Sequence, residues 1–102
     1  MIIRALVLVA LLAAKKDDPA SVEAKAIYKR GEVAFKLGRF DEALKEFSKA
    51  YETKPLSAFL FNIAQCHFNL KNYERAVFFF EGYLRDTANV AQAQTAGERL
   101  KE

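Results

Sequence analysis

The stretch Ile27 to Pro55, Ile-Tyr-Lys-Arg-Gly-Glu-Val-Ala-Phe-Lys-Leu-Gly-Arg-Phe-Asp-Glu-Ala-Leu-Lys-Glu-Phe-Ser-Lys-Ala-Tyr-Glu-Thr-Lys-Pro, reads as two helices joined by a tight turn. In its second half Phe40, Ala43, Leu44, Phe47, Ala50 and Tyr51 fall at i, i+3, i+4, i+7 spacing, the apolar stripe of a helix packed on one side. Glu42, Lys45, Lys49 and Glu52 occupy the opposite, solvated face. Gly38 can take the left-handed conformation that reverses the chain, and Pro55 stops the second helix.

The hairpin recurs. A step of 33 residues carries Phe35 to Phe68, Leu37 to Leu70, Phe40 to Tyr73, Ala43 to Ala76, Leu44 to Val77, Phe47 to Phe80 and Tyr51 to Leu84. A fixed period of this size signals stacked helix pairs. Within each copy a small residue stands one turn before a large one, at Ala43 and Phe47 and again at Ala76 and Phe80. A neighbouring helix can then approach closely at Ala while Phe fills the space beside it.

At these positions the sequence resembles the tetratricopeptide repeat, whose pattern contains the Ala-x-x-x-Phe and late Pro elements. The resemblance spans about two repeats, roughly 24–56 and 57–89. The opening Trp-x-x-Leu-Gly-x-x-Tyr of the pattern becomes Ile27-x-x-Arg30-Gly31-x-x-Ala34 in the first copy and Leu60-x-x-Ile63-Ala64-x-x-His67 in the second. Ala88 stands where the second Pro would be. The resemblance implies an all-α fold, a right-handed solenoid of two helix hairpins followed by a C-terminal capping helix over 90–102.

The remaining chain is read around this unit. Met1 to Ala14 has one positive charge, Arg4, followed by the ten apolar residues Ala5 to Ala14, the layout of a secretory signal. Ten residues are too few to span a bilayer. Export of a short bacterial protein into the periplasm or envelope is the leading expectation. An uncleaved anchor tethering the chain to a membrane, and an ordinary N-terminal helix of a cytoplasmic protein, are the alternatives. Residues 15–20 form a polar spacer, in which Asp18-Pro19 reads as an N-cap followed by a proline in the first helical position. Ser57 is the expected N-cap of the third helix, Asn72 the residue expected to turn the chain into the fourth, and Asn89 with Gln92 a capping box opening the last helix.

Composition excludes several function classes. Thirteen Lys and Arg face eleven Asp and Glu from Ser21 onward, no run of like charge exceeds two residues, and the aromatics fall at helical spacing, so no phosphate-binding stripe for nucleic acid exists. One cysteine, Cys66, rules out an internal disulfide or a multi-thiolate metal site. His67 adjoins it, but neighbours on a helix point about 100° apart, which forbids the in-line hydrogen bond of an activated nucleophile. The stride matches Cys66 and His67 to Val33 and Ala34, positions of packing. No catalytic, metal or cofactor site is expected, and no enzyme.

A surface remains. The first helix of each copy carries an i, i+4, i+7 face: Tyr28, Glu32 and Phe35, then Phe61, Gln65 and Phe68. In the resembled family first helices line a concave groove that holds a peptide or helix of a partner. Carried over, that gives a groove bordered by Lys25, Lys29, Asn62 and Asn69, its rings supplying contact area and its amides pairing with a partner's backbone. The family members that clamp the carboxyl-terminal tails of chaperones use Lys and Asn there, and only Asn62 matches. Phe78, in the run Phe78-Phe79-Phe80, should face water, an opening for self-association. The expected function is a non-catalytic scaffold for a protein or peptide partner. The rival is a module of assembly, as a homodimer or as part of a longer array.

Overall fold

The computed structural model describes residues 18–101, with side chains as far as Asn89; the signal-like segment 1–14 and most of the spacer lie outside the described residues. Four helices follow one another: α1 (Pro19–Lys36), α2 (Phe40–Thr53), α3 (Ser57–Asn69) and α4 (Tyr73–Lys101). Each packs along the next, α1 on α2, α2 on α3 and α3 on α4, as a repeat solenoid requires. Among the described residues there is no strand, and no helix is long and apolar enough to cross a membrane.

α1 begins as its sequence dictates. The Asp18 carboxylate accepts hydrogen bonds from the Ser21 backbone N–H and hydroxyl, both at 3.2 Å, and Pro19 occupies the first turn. Lys54 Nζ, 3.3 Å from the same oxygen, ties the α2–α3 linker to this cap. That bond, with those from Ser21, holds the Asp18 carboxyl below its usual range. α2 ends where Lys54 turns extended ahead of Pro55.

The two hairpin turns are copies of each other. After α1, Leu37, Gly38 and Arg39 donate to the carbonyls of Val33, Phe35 and Ala34; after α3, Leu70, Lys71 and Asn72 donate to those of Cys66, Phe68 and His67, with all six distances between 2.8 and 3.1 Å. The left-handed residue is Gly38 in the first, at φ 75°, and Lys71 in the second, at φ 65°. Asn72, assigned that role from sequence, stands one residue beyond it, because the stride fixes the position and 38 maps onto 71. A non-glycine side chain there costs about 1 kcal/mol, so Lys71→Gly is expected to raise stability by about 0.5–1 kcal/mol in urea melts.

Two further expectations are corrected. The N-cap of α3 is Leu56; Ser57 is already helical, and its hydroxyl donates to Asp86 of α4 at 3.2 Å. The capping helix expected over 90–102 is not a separate element, because α4 runs unbroken from Tyr73 through Asn89 to Lys101. The stop signal is missing, since Ala88 replaces the Pro55 of the first copy. Thr87 bonds back to the Tyr83 carbonyl at 2.8 Å, inside the helix.

The core sits between α1, α2 and α3. Ala43, Phe47 and Ala50 of α2, Ala24, Ile27 and Ala34 of α1, and Phe59, Ile63 and Cys66 of α3 are all buried. Gly31 is needed for this packing: a Cβ there would lie 2.6 and 2.7 Å from two Phe47 ring carbons, and that ring is walled in by Tyr28. Gly31→Val should destabilise by about 2 kcal/mol in the same assay, despite the helix preference it gains over glycine.

On α4 the expected core face Tyr73, Ala76, Val77, Phe80 and Leu84 is buried only at Ala76 and half-buried at Phe80, with Tyr73, Val77 and Leu84 exposed. Their counterparts Phe40, Leu44 and Tyr51 are half-buried because α3 follows α2. No described helix follows α4. Phe78 is exposed, as its position predicts.

Candidate partner-binding groove

Sequence periodicity becomes geometry in the aromatic pairs. Tyr28 lies 5.5 Å from Phe47 and its equivalent Phe61 lies 5.6 Å from Phe80; Phe35 meets Phe40 edge-on at 5.1 Å, and Phe68 meets Tyr73 edge-on at 5.6 Å. The first helix of each hairpin therefore packs equivalent rings against its second helix in the same way. α1 and α3 are joined by Tyr28, whose ring also lies 5.5 Å from Phe59 at the start of α3.

Between α1 and α3 is a pocket of about 150 Å³. Tyr28, Glu32 and Phe35 line it from α1, Asn62 and Gln65 from α3, and Phe47 of α2 contributes a ring. The structure thus brings together five of the ten residues expected to bind a partner. Of the rest, Phe61 rests on Phe80 and Tyr83 and Phe68 on Tyr73; both are exposed and neither lines the pocket. Lys25 and Lys29 are exposed on α1. Asn69 is exposed on α3, and its amide donates to the Gln65 carbonyl of its own helix at 2.8 Å.

Two lining residues were not foreseen, Phe47 and Lys36. Phe47 belongs to the α2 core stripe, and its ring packs close against Gly31. Lys36 follows Glu32 by one turn, a spacing that places it on the same face.

The electrostatics of the pocket centre on Tyr28 and Glu32. Burial first, then the charge and hydrogen bonding of Glu32, push the Tyr28 hydroxyl above its usual 10.0, with a bond from Asn62 opposing. Tyr28 stays a neutral phenol at any physiological pH, a donor held within reach of a carboxylate and an amide.

The other titratable pair is structural. Burial pushes the Cys66 thiol up to about 12, so it carries no thiolate character. His67, 9% exposed, stacks flat on Phe79 with ring centroids 5.4 Å apart, and its Nδ1 has no hydrogen-bond partner. Burial, and second the charge of Arg75, hold it below its ordinary 6.5. A depressed folded value means the unfolded chain takes up the proton first. Stability contributed by neutral His67 is therefore intact above pH 6.5 and is lost as pH falls from 6.5 through the depressed value. His67→Leu should flatten the dependence of the urea midpoint below pH 6.5. Among the described residues no three His, Cys, Asp or Glu side chains are grouped to hold a metal.

No curated protein matches this chain. The tetratricopeptide repeat family matches it twice, over residues 4–58 and 28–93, so the two matches overlap on the hairpin of α1 and α2. With the helix pairs, the stride and the shared turn geometry in place, that match carries the conclusion that the chain belongs to the tetratricopeptide repeat family.

Proposed function

We propose that this protein is a non-catalytic scaffold that captures an extended segment of a partner protein in the groove between α1 and α3. Tetratricopeptide repeats generally mediate protein–protein interactions, and the observation that localises the activity is the pocket, where both first helices contribute polar groups beside aromatic walls. Half-buried Asn62 and Gln65 offer donors and acceptors to a backbone, while Tyr28, Phe35 and Phe47 supply rigid apolar contact. Tyr28 also joins α1 to α3, so truncating it would disturb the fold together with the groove.

A photo-cross-linking residue placed at Asn62 or Gln65 should capture one partner segment in the native host. The same residue at Lys49, on the outer face of α2, should not. Equal capture from both faces would refute the groove.

A second reading has its own observation. Val22, Val33 and Leu37 on α1, and Tyr73, Val77 and Leu84 on α4, are all more than half exposed. By the stride, Val33 and Leu37 answer to Cys66 and Leu70 of α3, and the α4 residues to Phe40, Leu44 and Tyr51 of α2, which are half-buried. Among the described residues, α1 and α4 thus each leave an apolar face on which a further helix or another copy could pack. Sedimentation velocity separates the readings: a concentration-dependent coefficient supports assembly, and a constant monomer excludes self-association.

A further inference from the structure

The groove reading says that a segment binds but leaves its chemistry open; the inference here rests on that reading and concerns one side chain of the bound segment. Glu32 is half-buried in the pocket wall, and its carboxylate has no ion-pair partner. Among the described residues the ion pairs are Arg30–Glu46 at 3.4 Å and Lys54–Asp18 at 3.3 Å, both away from the pocket. Lys36, one turn further along α1, has a favourable spacing for pairing with Glu32 yet stands exposed at the edge. Across the pocket α3 presents only the neutral amides Asn62 and Gln65, the rings of Tyr28, Phe35 and Phe47 form the other walls, and the Lys36 stem closes the edge with its exposed ammonium turned to water rather than paired with Glu32.

A neutral hydroxyl or amide entering this space could donate to Glu32 but would leave its charge uncompensated. An apolar side chain would strip water from the Glu32 carboxylate and return no partner, which is unfavourable. An acidic one would meet like charge. A cation would neutralise Glu32, lay its aliphatic stem along the rings and place its charge near their faces. Arginine suits the donor set better than lysine, because its planar head offers five N–H groups to one carboxylate and two amide oxygens.

Around the pocket the charge reverses. Lys36 stands exposed at the rim of the pocket it lines, Lys25 and Lys29 lie exposed one turn apart on α1, and none of the three is in an ion pair among the described residues. A basic residue with basic neighbours would be repelled there, whereas one flanked by acidic residues would not.

We infer that the pocket between α1 and α3 is a subsite for a single arginine side chain of the partner, with Glu32 as its counter-ion, and that Asp or Glu residues flanking that arginine meet Lys25, Lys29 and Lys36. The occupant is thus a short extended peptide with one arginine between acidic residues.

The test uses the full chain and two fluorescein-labelled peptides, Glu-Ala-Arg-Ala-Glu and the same peptide with neutral citrulline in place of arginine. In fluorescence anisotropy the arginine peptide should bind at least about ten-fold more tightly, and raising the salt should weaken it. Glu32→Gln, a near-isosteric change at a half-buried site, should remove the discrimination while circular dichroism stays unchanged. Equal binding of the two peptides, binding of neither, or discrimination that survives Glu32→Gln would overturn the subsite. The cross-linking at Asn62 and Gln65 would still stand in those cases, so the groove and its arginine subsite fail separately.

Discussion

Phe47→Ala is expected to cost about 3–5 kcal/mol of folding stability, while Phe80→Ala, the same change one stride later, is expected to cost roughly 1–2 kcal/mol. Both phenylalanines follow an alanine by one turn, and both meet an aromatic ring of the preceding helix at nearly the same distance. Their surroundings differ on the far side. Phe47 is 2% exposed and belongs to a core with Ala34, Ala43, Ile63 and Cys66, so its removal leaves a cavity that α1, α2 and α3 cannot close together. Phe80 is half-buried on the last hairpin, where water or a shift of α4 can take up the lost volume. Urea denaturation of the two variants measures the contrast. Equal losses would mean that Phe47 is not more fully enclosed than Phe80.

The second large effect is a reciprocal exchange. Ile63 and Arg30 are stride equivalents, yet Ile63 is 3% exposed and Arg30 stands at the surface, 3.4 Å from Glu46. The difference is the neighbour: α3 has α2 packed on that side, and α1 has no described helix there. Ile63→Arg would bury an unpaired charge against α2 and should cost roughly 3–5 kcal/mol or prevent folding. Arg30→Ile loses one solvent-screened ion pair, worth about 0–1 kcal/mol, and should leave the melting curve nearly unchanged. Comparable destabilisation by both would contradict the end-to-end order of the helices.

The comparison explains what was legible in the sequence. Ala43 with Phe47 and Ala76 with Phe80 announced the stride, and Asp18-Pro19, Gly38 and Pro55 announced ends and turns, because each acts through local sterics. The i, i+4, i+7 face of α1 was likewise readable, and it put Tyr28, Glu32 and Phe35 in one pocket. Periodicity alone does not say how many neighbours a helix has. It assigned Tyr73, Val77 and Leu84 to a core that nothing described completes, and it gave Asn89 a cap in a helix that runs on because Ala88 stands in place of a proline. The left-handed Lys71 was hidden for a related reason: its side chain carries no signal for that conformation, and only the equivalence with Gly38 identifies it. Phe47 was seen as core but not as pocket wall, since periodicity places it on the α2 stripe and does not show that the gap between α1 and α3 reaches its ring.

The central claim is that α1 and α3 stand side by side and that each packs equivalent rings against the second helix of its hairpin. Ring-to-ring nuclear Overhauser effects test it most directly. The account predicts cross-peaks for Tyr28 with Phe47 and Phe61 with Phe80, for Phe35 with Phe40 and Phe68 with Tyr73, and for Tyr28 with Phe59, the contact that joins the two hairpins. Cross-peaks within the first hairpin without their partners in the second, or no contact between Tyr28 and Phe59, would contradict it.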